Sequence, residues 1–381
     1  GATITTASAG TVNANASGVT ISNVQGSAAV NIAGTGASVR AVSGGTVTLS
    51  NTATGATVTT ASGGTVNANA SGATVGTVSG AAVNVGGANG RVGTLSSGSV
   101  AANAAGLVVT NFNGGNISVS NGVSVGLRSG SSSGVISGSG GIAKQGATTL
   151  TLSGANTFSG ATTVEAGKLV VNGSIGNSSV TVQSGAILGG SGVIGATTVQ
   201  SGGTLAPGES PGTTLYNSGL TLLGGGNYDW EIYNAAGTAG DNNGWDLLAV
   251  SGSPLNITGL SSLNPYNINL LSLQNPANVS GNAINFFNNT QYTWEILTYT
   301  SLNGTFNSNL FAINAAGFLN PLAGGVFSLE NDGNSLNLLF TPSGPGPSPV
   351  PEPGTWAAAA MLAGAAGYMR WRRRKQVEPK A

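Results

Sequence analysis

Apolar positions in the first 120 residues fall into three columns that share one long period. The first column is Val12, Val30, Val47, Val66, Val83, Val100 and Ile117, at steps of 18, 17, 19, 17, 17 and 17 residues. A second runs Ile21, Val39, Val58, Val75, Val92, Val109, and a third runs Val24, Val42, Ala61, Val78, Leu95, Phe112. A longer repeat contains them: TTASAGTVNANASG at Thr5–Gly18 returns as TTASGGTVNANASG at Thr59–Gly72. Three columns at one period predict a β-solenoid, in which each turn of chain is a rung and each column stacks like side chains inside. Seven rungs at ~4.8 Å would make a rod of ~30 Å. A flexible Gly/Ser linker would not hold three columns in register. Gly and Asn tolerate the left-handed backbone of tight corners. Asn13, Asn31, Asn67 and Asn84 each follow a first-column valine, so an asparagine ladder at a corner is expected. The period alone leaves the hand open. A rung near eighteen residues suits a left-handed helix, yet Ile21 falls out of hexapeptide phase.

From Val135 the texture changes to short alternating strands. Leu150, Leu152, Val164, Leu169 and Val171 point one way with Thr and Ser between them, as in half-buried strands. Beyond Thr214 aromatics and acids gather, and strands are expected at Leu220–Leu223, Tyr228–Tyr233, Asp246–Val250, Tyr292–Tyr299, Gly325–Glu330 and Ser335–Phe340. An aromatic end is a sensible closure, because an open solenoid end presents unpaired strand edges. The expected organisation is 1–134 Gly/Thr/Val-rich solenoid repeats, 135–213 a second β repeat, 214–340 a C-terminal β end cap, 341–353 a Pro/Gly/Ser linker, and 351–375 a tail of different character.

Composition narrows the chemistry. Gly supplies 64 of 381 residues and charged residues only 6%. The absence of Cys and His removes disulfides, thiolate nucleophiles, the usual zinc sites and imidazole bases. Six of the eleven bases lie beyond Pro353 with one acid, Glu378, so the chain up to that point carries 5 − 10 = −5, and nucleic acid is not an expected partner. The chain opens at Gly1 without a charged-then-apolar leader and is read as a fragment or mature form.

Candidate catalytic groups are sparse. The first 164 residues hold no acid and only Arg40, Arg91, Arg128 and Lys144 as bases; Arg40 and Arg91 occupy similar places in the long repeat and read as solvated edge charges. The best carboxylate set is Asp229 with Glu231, two apart on one face of a strand. Asp241, Asn242, Asn243 and Asp246 offer oxygen ligands but lack a calcium-loop spacing, so a plain turn is expected. No catalytic residue, cofactor or metal site is assigned, and the expectation is a protein that is not an enzyme.

The tail reads VPEPGTWAAAAMLAGAAGYMRWRRRK from Val350 to Lys375. The triplet Pro351, Glu352, Pro353 comes first. An uncharged run follows from Trp356 and Ala357 through Met361 and Leu362 to Tyr368 and Met369. Arg370, Arg372, Arg373, Arg374 and Lys375 close it. Fourteen residues of helix reach ~21 Å against a hydrocarbon core of ~30 Å, so a single short transmembrane helix is expected, with Trp and Tyr at the interfaces and arginines snorkelling. Positive charge stays cytoplasmic, which places everything before Pro351 outside. This order of triplet, helix and arginine cluster resembles the PEP-CTERM sorting signal of Gram-negative bacteria. The resemblance implies export, an inner-membrane intermediate, processing by an exosortase near the triplet, and a final place at the cell surface or in the extracellular matrix.

A second resemblance lies in Val135–Gly176. Gly141-Ile142-Ala143-Lys144, then Leu150-Thr151-Leu152-Ser153-Gly154-Ala155-Asn156-Thr157-Phe158-Ser159-Gly160, then Thr162-Thr163-Val164 and Gly167-Lys168-Leu169 resemble the autotransporter-associated β-strand repeat, with Phe158 where that repeat usually has Tyr. It implies right-handed β-helical rungs in an exported protein. YDWEI and WDLLAVSG resemble segments that close such helices before a sorting tail. A self-transporting passenger would require a membrane barrel after the solenoid, and that reading is not the expected one. The combined expectation is an all-β parallel β-helix, exported and structural or adhesin-like. Extracellular polysaccharide or surface components are its possible partners, and a carbohydrate-binding or carbohydrate-cleaving β-helix is the alternative.

Overall fold

The computed structural model describes residues 1–208, 210–274 and 279–344. The sorting-tail residues Pro351 to Lys375, with the expected helix and the linker beyond Gly344, lie outside the described residues.

The described chain is a parallel β-solenoid with three faces, each carrying one of the three columns. Every step of the first column is a strand pairing: Val12 with Val30, Val30 with Val47, Val47 with Val66, Val66 with Val83, Val83 with Val100, and Val100 with Ile117. The second column pairs from Ile21 through Val109 and the third from Val24 through Phe112. From the second rung onward no column member is more than 1% exposed. Within each rung the second and third columns are always three residues apart, as in Ile21 and Val24 or Val75 and Val78. Two inward residues at that spacing require a bend between them, which is why Ile21 breaks a strict alternation.

The irregular period has two sources, the smaller being one extra residue between Val24 and Val30, where later rungs spend five from the third column to the next first-column residue. From the first column to the next second-column residue the chain spends nine residues in most rungs but eleven between Val47 and Val58. The excess sits in the turn around Asn51–Gly55, outside the ladders, so the inward register survives it. The last residue of that turn lies three before the second column. It is Gly18, Gly36, Gly55, Gly72 and Gly106, all at φ between 63° and 80°, and Asn89 at φ 57°. A left-handed corner in every rung is the reason for the recurring glycine, and asparagine is the side chain that tolerates it.

The asparagine ladder forms, but inside strands rather than at a corner. Asn31 Nδ2 donates to Asn13 Oδ1 at 2.9 Å, and Asn84 Nδ2 to Asn67 Oδ1 at 2.9 Å. Each Asn directly follows an inward first-column valine and therefore points out from the face of the first column. Arg40 and Arg91 are exposed.

The second and third ladders continue past residue 134, while the first-column strand pairing stops at Ile136 and resumes at Ile175. The second column runs on through Leu127, Lys144, Val164, Val182, Val199 and Leu222. The third runs through Gly130, Leu150, Leu169, Leu188, Leu205, Tyr228, Ile268 and Ile313. Gly130, at φ 128°, lies against Phe112, and a Cβ there would fall 2.2 Å from the Phe112 carbonyl oxygen. The face of the first column then carries Ile175, Ile194, Tyr216, Val250 and Tyr299.

The strands expected beyond residue 214 all form within a residue or so of their expected bounds. Those up to Tyr292–Tyr299 extend the parallel ladders, with long excursions between rungs. Antiparallel pairing closes one face: Ser335–Thr341 lies between Tyr292–Tyr299 and Val326–Asn331. An aromatic layer sits beside it. Trp294 is 1% exposed, stacks on Tyr292 at 5.0 Å and 7°, and packs near Trp230, Phe286 and Phe327.

Candidate functional site

Three buried side chains, two of them polar, explain why the segment after Val135 has so specific a sequence. Lys144 occupies an inward position between Leu127 and Val164 and is fully buried. Its Nζ turns back to the corner and donates to the carbonyls of Gln145 at 2.9 Å, Gly146 at 2.7 Å and Ala166 at 2.9 Å. Three carbonyls satisfy the ammonium's three donors, while burial lowers its pKa from the ordinary value. Asn156 is 4% exposed and joins three rungs: Oδ1 accepts from Ile136 N at 2.9 Å, and Nδ2 donates to Gly154 O at 2.9 Å and Ser174 O at 3.1 Å. Phe158 fills the core beside them. Composition alone shows Lys144 only as one of the four bases before residue 165. Its phase in the second column, seventeen residues after Leu127, was the available signal.

Asp229 and Glu231 do share the outward face of the strand Asn227–Ile232, but they serve different partners. Asp229 Oδ1 accepts from Asn269 Nδ2 at 2.7 Å, and Asn269 Oδ1 accepts from Asn314 Nδ2 at 3.1 Å, so Asp229 starts a polar row. Glu231 Oε2 accepts from the Ser210 hydroxyl. Behind it Asp246 is fully buried, with Oδ1 accepting from Gly212 N at 2.7 Å and Oδ2 from Glu231 N at 3.0 Å. Glu231, Ser210, Lys168, Val170 and Pro207 line a cleft of about 230 Å³. Asp241 does not join Asp246; its carboxylate caps its own turn, accepting from Asn243 N at 3.3 Å. Among the described residues no group of three His, Cys, Asp or Glu side chains is placed to hold a metal ion.

Burial raises the Glu231 carboxyl, countered by the Ser210 bond and Lys168; burial and then Glu231 raise Asp246 well above its usual range. Both carboxyls therefore hold protons more tightly folded than unfolded. The stability this gives is present in acid and is lost as pH rises above the ordinary values of 3.8 and 4.5. The melting midpoint is expected to fall between pH 4 and pH 7. Glu231→Gln, which keeps an acceptor for Ser210, should flatten that fall. Calorimetric midpoints across the range measure it, and equal slopes for the two proteins would remove Glu231 from the account. Asp332, held at about 2 by backbone and Ser335 bonds, titrates below this window.

A second concavity lies on the face of the second column. Its floor is a row of outward side chains on successive rungs: Thr181, Thr198, Thr221, Asn256 and Asn303. Ser179, Ser218, Ser253 and Pro254 flank it, and it encloses about 280 Å³. The row was visible only as scattered threonines until pairing aligned them.

The segment 142–171 matches the model of the passenger-associated-transport repeat. No protein of curated function matches the chain. The protein is thus a parallel β-solenoid that contains a passenger-type repeat, a combination that fits an exported or surface, adhesin-like β-helix. The motif residues that the repeat comprises are the ones whose burial is described above: Lys144, Asn156 and Phe158.

Proposed function

We propose that the protein is a non-catalytic structural or adhesin-like component of the cell surface or extracellular matrix, delivered by its PEP-CTERM-like tail and released by an exosortase. The observation that carries this reading is the three-faced parallel solenoid with a passenger-type repeat inside it and short polar side chains outside. Such a rod is a rigid spacer whose stability comes from stacking and hydrogen bonding without a disulfide. The tail sequence supports the delivery step: its apolar run is short for a permanent anchor, and Pro351 and Pro353 are residues that disfavour helix. In a host with an exosortase, the surface form should lose roughly the last thirty residues, as the resemblance implies. Glu352→Ala, or Arg372 to Arg374 changed to Ser, should leave the full-length chain in the inner membrane. Intact mass of the surface form decides, and a surface form that still carries Trp356 to Lys375 would refute the sorting reading.

The alternative, a carbohydrate-directed β-helix, draws its support from the two concavities. For cleavage, Glu231 is tied to Ser210 and Asp229 to Asn269, so neither carboxylate stands free to work as a pair. Binding has the better support.

A further inference from the structure

We propose that the groove over Thr181, Thr198, Thr221, Asn256 and Asn303 binds a neutral glycan chain lying along the solenoid axis. This deepens the surface or matrix reading and rests on it for the ligand's presence. The first argument is shape. The row would be a flat ladder if every rung were alike, but the pairing shifts register after Thr221, and the rungs that follow carry long excursions. Ser253 and Pro254 then flank the row and turn the face concave.

The second argument is the chemistry of the lining. Every polar side chain in it is a hydroxyl or an amide, and none is charged. An anionic or cationic ligand would be desolvated there without a counter-charge. A polyhydroxylated neutral chain offers donors and acceptors in equal measure and needs none. The hydroxyls of Thr181, Thr198 and Thr221 find no partner among the described residues, so bonding a ligand breaks nothing in the protein. Asn256 Oδ1 is engaged by Thr258 N at 3.1 Å and Thr258 Oγ1 at 2.9 Å, which fixes its amide N–H donors in orientation.

The third argument is spacing. Rungs advance by ~4.8 Å, close to the advance of one sugar in an extended pyranose chain, so successive rungs meet successive sugars. The strand backbone holds the row in place, and little ordering cost falls on the protein. No aromatic lines the groove. Affinity per sugar is therefore weak and builds up along the chain.

The test is electrophoresis of the full chain through native gels containing hydroxyethylcellulose, galactomannan or, as the charged polymer, polygalacturonate. Retardation by at least one neutral polymer and none by polygalacturonate is expected. Thr198→Val with Thr221→Val keeps shape and strand preference but deletes two hydroxyls. It should raise the dissociation constant about tenfold, as two lost hydrogen bonds imply. The matched pair Thr60→Val with Thr77→Val, neighbours on the face of the third column, should bind like the parent. If the groove double variant melts early, Asn256→Asp reads the same site, since it keeps the acceptor for Thr258 while adding a charge, and should also weaken retardation. The proposal is overturned if neither neutral polymer retards the parent, if the groove variants bind unchanged, or if polygalacturonate retards most. None of these outcomes alters the mass of the surface form, so failure here and failure of the sorting reading are separate results.

Discussion

Val66→Asp should collapse the middle of the solenoid, whereas Thr65→Asp, one residue away, should be mild. Val66 is fully buried between Val47 and Val83, and the side chains above and below it in the ladder are apolar. A carboxylate there has no donor within the stack and must stay unpaired or take up a proton at a cost. The loss is expected to be on the order of 4 kcal/mol, among the largest that single changes produce. Thr65 pairs with Thr46 and Ala82 in the outward row and is half-buried at the surface, so an added charge there stays hydrated. In far-UV circular dichroism melts, Val66→Asp should lower the midpoint by about 10 °C or more. Equal midpoints for the two variants would mean that the column assignment is wrong.

The second large effect is expected at the far end of the rod. Trp294→Ala removes the centre of the aromatic layer that packs beside the closing hairpin. The indole stacks on Tyr292, packs near Trp230, and its Nε1 donates to the Ala235 carbonyl at 3.0 Å. Truncation loses the transfer energy of the ring, leaves a cavity, and orphans a buried carbonyl, together about 3–5 kcal/mol. It should also loosen Ser335–Thr341 from Tyr292–Tyr299, and so bare a strand edge to other molecules. The expected readout is a lower melting midpoint together with higher oligomers in light scattering. Leu263→Ala is the control, because that side chain is 97% exposed. A Trp294→Ala protein that melts like the parent and stays monodisperse would show that the hairpin closes the stack without the aromatic layer.

The three columns, their members and their register were legible in the residues because a solenoid repeats one local rule in every rung. A valine at a fixed phase needs only the rung above and the rung below, both of which lie about seventeen residues away in the same sequence. The corner glycines were legible for the same reason. The asparagine ladder was legible as a row but misplaced at a corner, since the sequence gives the phase of Asn13 and Asn31 and not the bend of the chain around them. The outward alternation of Asp229 and Glu231 was likewise correct.

Three-dimensional pairing decided the rest. Lys144 was legible only as one of a few bases, because composition carries no information about three carbonyls converging on one ammonium from two rungs. Asp246 was expected in a plain turn with Asp241, yet the long excursion before it turns its carboxylate inward to the amides of Gly212 and Glu231, and no local pattern specifies that. The threonine row over residues 181–303 is separated by 17, 23, 35 and 47 residues, so it has no period to find. The sequence by itself determined what repeats, because a repeated side chain meets its own kind. Only the tertiary structure decided what does not repeat: where a buried charge finds its partners, where the rod closes, and where a flat face becomes a groove. Those depend on contacts between segments with no sequence in common.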